Sequence, residues 1–112
     1  MNQQRRTSPR VAARIPVRYG LVTIDRADTA ENLSEGGLFI RTNRPMVVGS
    51  SLQLEIGFPG RTVCHGGEVV WAIRVPEPME SVMVCGMGIR FTETEPGWSS
   101  FFRSWKDGLD GR

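Results

Sequence analysis

The sequence predicts a mostly β protein: a small antiparallel barrel of five or six short strands, followed by one C-terminal α-helix. Three observations carry this. Residues Ser51–Phe58 alternate apolar and polar without a break, turn-forming glycines and prolines recur at the spacing of short strands, and the apolar period becomes helical only near the end. A chain of 112 residues has room for one domain with a modest core.

Residues 1–13 have no apolar period and are rich in Gln, Arg and Ser, with Pro9. They read as a flexible arginine-rich arm ahead of a barrel domain over 14–108. Alternation begins with Ile15, Val17 and Tyr19 on one face and Pro16 and Arg18 on the other. A second strand within 21–33 ends in a turn at Asn32–Gly37, and Leu38, Phe39 and Ile40 form a short strand closed by Asn43-Arg44-Pro45. In Ser51–Phe58 the residues Leu52, Leu54, Ile56 and Phe58 share one buried face. Pro59-Gly60 turns the chain into a strand over Thr62–Ile73, with Gly66-Gly67 as a bulge or tight bend. Trp71 in this strand reads as core, ahead of a place on a pocket rim.

Pro76 and Pro78 mark a loop. Beyond it, Met83, Cys85, Met87, Ile89 and Phe91 lie opposite Val84, Gly86, Gly88 and Arg90, and the glycines leave room for something close against that face. Trp98, Phe101, Phe102 and Trp105 then form one apolar stripe of a helix over about 95–107, suited to covering an open barrel face. Thr94 is the expected N-cap, Pro96 falls in the first turn and Gly108 is the expected stop.

Composition narrows the function. No apolar run is long enough to span a membrane and no signal-peptide core is present, so a cytoplasmic protein is expected. Cys64 and Cys85 lack any metal-ligand spacing and read as reduced thiols, buried or half-buried, with a disulfide the weaker alternative. His65 is the only histidine and has no partner arrangement that marks a general base or ligand. Ser34 is not in a nucleophile elbow, and the twelve acids do not cluster as metal ligands. The chain therefore reads as a binding protein with no catalytic residues, metal or cofactor.

Charge is segregated. Residues 1–18 hold five arginines and no acid, whereas the remainder holds nine basic and twelve acidic residues. The local +5 of the arm contrasts with −3 over the body. By itself such an arm reads as a solvated tail or a nonspecific nucleic-acid contact. Two motifs change that. Arg6-Thr7-Ser8-Pro9-Arg10 spaces two guanidiniums, which bind phosphate and the guanine O6/N7 edge bidentately. Asn32-Leu33-Ser34-Glu35-Gly36-Gly37 offers an amide, a hydroxyl and paired glycines that let a ligand approach the backbone. Together they describe a pocket for an anionic, guanine-bearing ligand.

These residues resemble the PilZ domain, a bacterial cyclic di-GMP receptor module whose pattern is RxxxR followed by [D/N]xSxxG. The pattern falls on Arg6 and Arg10, then Asn32, Ser34 and Gly37. Similar text surrounds it: Ile15-Pro16-Val17-Arg18-Tyr19, Leu33 to Ile40, Gly67-Glu68-Val69-Val70-Trp71, and Gly86-Met87-Gly88-Ile89-Arg90-Phe91. Arg10 to Arg14 is a second RxxxR, but the family places its second arginine just before the hydrophobic residue leading into the first strand, as Arg10-Val11 does.

The resemblance implies a six-stranded barrel, cyclic di-GMP as ligand, an arm that wraps over it, and a downstream protein partner that reads the change, in pathways such as motility and biofilm control. The implied ligand-binding residues are Arg6, Arg10, Asn32, Ser34, Gly36 and Gly37, with Arg5, Trp71, Gly88 and Arg90 as a secondary set. Two alternatives stand beside this reading: a scaffold of the same fold that does not bind nucleotide, and a basic barrel for single-stranded nucleic acid. The second needs exposed aromatic platforms, of which the strands offer few.

Overall fold

A computed structural model describes residues 10–76 and 84–110. Six strands follow in chain order: β1 Ile15–Gly20, β2 Arg26–Ser34, β3 Gly37–Arg41, β4 Ser51–Phe58, β5 Arg61–Ile73 and β6 Gly86–Glu93, then helix α1 Trp98–Asp110. All pairings are antiparallel, and the order β1-β2-β3-β6-β5-β4 closes because β1 also pairs with β4. Closure leaves no sheet edge exposed. The six-stranded barrel with a terminal helix is the architecture the sequence predicts.

The alternation of β1 and β4 does what its period requires. Ile15, Val17, Tyr19, Leu52, Leu54, Ile56 and Phe58 point into the barrel with Ala30, Leu33, Leu38, Ile40, Val63, Val69, Met87 and Ile89. Helix α1 covers one opening. Trp98 and Phe102 are buried, and Phe58 meets Trp98, Phe101 and Trp105 at ring-centroid distances of 5.8, 5.0 and 4.9 Å.

Four expectations are corrected. The segment before β1 is tied down from Arg10 onward, because Val11 and Leu33 exchange two backbone hydrogen bonds of 2.7 and 2.9 Å. Arg5, Arg6, Pro78 and Met83 lie outside the described residues. Helix α1 starts later than about 95: the carbonyl of Gly97, which has φ of +83°, accepts the first helical bond from Phe101, so Gly97 and not Thr94 occupies the cap. Gly108 lies within the helix, which runs on to Asp110. Cys64 is exposed and Cys85 buried, both as free thiols.

Trp71 is also not core. Gly66-Gly67 carries the expected register shift, but β5 shifts again between Val69 and Trp71, so Val69 faces Ile89 inside whereas Trp71 pairs with Gly88 outside. One extra residue flips the parity of everything after it. Trp71 is 46% exposed and stacks on Phe39 at 5.4 Å. The room left by the β6 glycines is taken by these rings. A Cβ at Gly88 would meet the Trp71 indole at 2.2 Å, and one at Gly86 would meet the Phe39 ring at 2.4 Å.

Candidate functional site

The polar turn predicted at Asn32–Gly37 closes the β2–β3 hairpin. Asn32 has φ of 51°, in the left-handed region that asparagine tolerates better than most side chains, and the β2–β3 register shifts between Glu31 and Ser34. This bulge leaves Asn32 exposed while Leu33 enters the core. Ser34 is 5% exposed. Its hydroxyl accepts the Gly36 N–H at 3.3 Å and donates to the Gly37 carbonyl at 3.4 Å, so it braces the turn from beneath.

The two glycines differ. A Cβ on Gly37 would stand 2.2 Å from the Ile89 carbonyl oxygen of β6, a contact that no side chain can make. At Gly36 nothing lies within 4 Å of that position. Gly37 is demanded by the fold. Gly36 leaves open surface.

The N-terminal segment reaches this turn. An isolated antiparallel bridge from Val11 to Leu33 of β2 sets Arg10 beside the bulge, where Arg10 Nη1 donates to the Asn32 carbonyl at 2.7 Å. Arg14 instead lies 3.4 Å from Glu31, which Arg41 also pairs with at 2.5 Å. Of the two overlapping RxxxR frames, the structure brings Arg10 to the turn and puts Arg14 on a neighbouring carboxylate. Arg90 is directly across from Gly37 on β6 and pairs with Glu68. Arg14 and Arg41 thus share Glu31, and Arg90 is held by Glu68. Surface pairs of this kind contribute only about 0–1 kcal/mol each.

The turn is held from its other side as well. The Glu35 carbonyl accepts the Trp98 indole N–H at 2.8 Å, the Glu35 carboxylate accepts the Ser99 hydroxyl, and the Gly36 carbonyl accepts the Phe91 N–H at 2.8 Å. Glu31, Glu35, Arg41, Trp98 and Ser99 are thereby parts of the site that the sequence does not announce. Only the outward parity of Arg41 in β3 hinted at any of them.

Beneath α1 sits His65, buried edge-on between Phe91 and Trp98 at 4.7 and 4.5 Å. Its Nδ1 lies 2.9 Å from the Cys64 carbonyl oxygen and 3.3 Å from the Glu95 amide. Burial pushes its pKa below the ordinary imidazole value. The Glu95 carboxylate accepts the Cys64 N–H at 2.8 Å and an Arg61 N–H at 2.7 Å, and these bonds hold its pKa down. No cluster of three or more metal-ligating side chains occurs among the described residues. No helix among them is long and apolar enough to cross a membrane.

The closed barrel, capped by a helix and carrying a polar hairpin turn met by an N-terminal arginine, defines a small helix-capped β-barrel domain. The PilZ domain family model matches residues 4–97, and the chain belongs to that family. A search of curated proteins gave no match. Among solved structures the chain is similar to the Bacillus subtilis inhibitor of motility (MotI/DgrA), with a TM-score of 0.78 at 20% identity. The likeness covers 98% of this chain and 54% of that one, so this chain spans about half the length of that relative. At this identity the likeness shows the fold.

Proposed function

We propose that this chain is a cyclic di-GMP receptor whose site is built jointly by the N-terminal arginines and the Asn32–Gly37 turn. PilZ domains are cyclic di-GMP receptors, and both of the family's motif halves are intact here. The observation that carries the reading is the Arg10–Asn32 contact, which joins residues 22 positions apart into one anion-ready surface.

Each residue has a task. Arg6 and Arg10 bind phosphate oxygens and the guanine O6/N7 edge through charge-assisted bonds, or stack on the purine. Asn32, turned outward by its bulge, offers its amide to the second guanine or the sugar-phosphate. Ser34 acts chiefly by bracing the turn, and Gly36 gives the ligand access to backbone. Arg5 and Arg90 add positive charge at the margins. Trp71 and Gly88, filled against each other, make the weakest claim to ligand contact. The chain does no chemistry on its ligand. Ordering of the arm over the nucleotide is the output, read in the cytoplasm by a protein partner.

Isothermal titration with cyclic di-GMP, GTP and a single-stranded oligonucleotide tests this. Saturable binding of cyclic di-GMP, with GTP and oligonucleotide at least tenfold weaker (about 1.4 kcal/mol), is expected. Silence toward all three identifies a non-binding scaffold, and preference for the oligonucleotide identifies a nucleic-acid barrel.

A further inference from the structure

The Asn32–Gly37 turn is tied to the C-terminal helix through one residue of the motif. Glu35 is used twice: its carbonyl oxygen accepts the Trp98 indole N–H at 2.8 Å and its carboxylate accepts the Ser99 hydroxyl. Trp98 and Ser99 are the first two residues of α1. The adjoining Gly36 carbonyl is bound at 2.8 Å by Phe91, whose ring also packs against Trp98. Trp98 is buried, with rings of Phe58, His65, Phe91, Phe101 and Phe102 around it. A group packed on so many sides does not adapt its N–H direction freely, because close-packed interiors resist small displacements.

We propose that Trp98 and Ser99 are positioning residues for the nucleotide turn, and that this Glu35 clasp makes the turn and α1 one thermodynamic unit. The inference rests on the reading of the turn as half of a cyclic di-GMP site. Nothing in α1 touches that ligand. The helix acts by holding Glu35 and Gly36, and so the open backbone of the turn, in the form that accepts it. Linkage then requires the reverse effect in equal measure: whatever the clasp contributes to ligand affinity, ligand returns to the seating of α1. The helix therefore reports occupancy of a site it does not line.

The test uses the full chain with Ser99→Ala, which removes an exposed hydroxyl, and Trp98→Phe, which keeps an aromatic ring and removes the N–H. Backbone amide exchange is followed at Glu35–Leu38 and along α1, without ligand and with saturating cyclic di-GMP. Without ligand, both variants should speed exchange at the turn. With ligand, wild-type α1 should exchange more slowly, and each variant should bind about three- to tenfold more weakly, the scale of one hydrogen bond. Unchanged turn exchange in both folded variants overturns the clasp. So does bound ligand that leaves α1 exchange unaltered. Should the wild type bind no cyclic di-GMP while the variants still loosen the turn, the nucleotide reading fails and the clasp survives as a structural coupling. Ser99→Ala keeps the test decisive if Trp98→Phe does not fold.

Discussion

Two glycine pairs look alike in the sequence and behave oppositely in the structure. Gly86 and Gly88 on β6 suggest room for a ligand, yet the Phe39 and Trp71 rings fill it. Gly36 and Gly37 at the hairpin turn divide the work: Gly37 is pressed against the β6 backbone, and Gly36 alone faces open space. A glycine in a strand states that something comes close. It does not say whether that neighbour is ligand or protein, and only the register of the adjoining strands decides.

The largest effect expected from this contrast is at Gly37. Gly37→Val forces a branched side chain into the Ile89 carbonyl and should cost about 3 kcal/mol of folding stability or more, measured by chemical denaturation. Gly36→Val should leave stability within about 0.5 kcal/mol, as at an unconstrained surface position, while weakening nucleotide binding. Equal stability losses at the two positions would erase the distinction.

Arg10 should come next. Arg10→Ala is expected to lose about 1.5–3 kcal/mol of binding, the scale of a hydrogen bond to a charged group, with the melting temperature nearly unchanged. Arg14→Ala, which breaks only the exposed contact with Glu31, should change binding little. Arg10 belongs to both arginine frames, so calorimetry on Arg6→Ala beside Arg14→Ala makes the choice between them, and a silent Arg6 with an essential Arg14 would reverse it.

The pH response separates the helix-covered end from the turn. His65 and Glu95 both have folded pKa values below their ordinary 6.5 and 4.5, so the unfolded chain takes up protons first. The stability they contribute is in place above those values and is lost as pH falls. The melting temperature should therefore begin to drop below pH 6.5, then fall further through the carboxylate range. His65→Phe should flatten the first part of that decline, with Glu95 and Arg61 still shaping the second. A variant that melts with the wild-type pH profile would show that His65 does not titrate on unfolding.

The smallest effect belongs to the outer face. Gly88→Ala displaces the exposed Trp71 ring, a flexible neighbour, and should cost about 1 kcal/mol of stability with no change in nucleotide affinity. Weakened binding there would return Trp71 and Gly88 to the site.

The pattern of success and failure along the chain has physical causes. β1 and β4 were legible because unbroken alternation states which face is buried. β5 was legible only as far as Val69: the first register shift is marked by Gly66-Gly67, whereas the second, between Val69 and Trp71, is a pairing event with β6 that no glycine or proline marks. The start of α1 was misplaced because Gly97 caps it through a backbone conformation, whereas Thr94 offered the expected side chain. Arg10 and Asn32 could be matched in advance because both belong to a spaced motif. Glu35 could not, because its partners Trp98 and Ser99 lie 63 and 64 positions away and are brought to it only by closure of the barrel.

The central claim is that arm and turn form one nucleotide site, and a calorimetric double-mutant cycle tests it most directly. Cyclic di-GMP is titrated into the wild type, Arg10→Ala, Ser34→Ala and the double variant. Residues that build one site couple, Arg10 at the ligand and Ser34 through the turn it braces, so the double variant should lose less binding free energy than the sum of the singles, by about 0.5 kcal/mol or more. Strict additivity, with both singles weakened, would place the arginine and the turn on separate ligands or separate effects and contradict the single site.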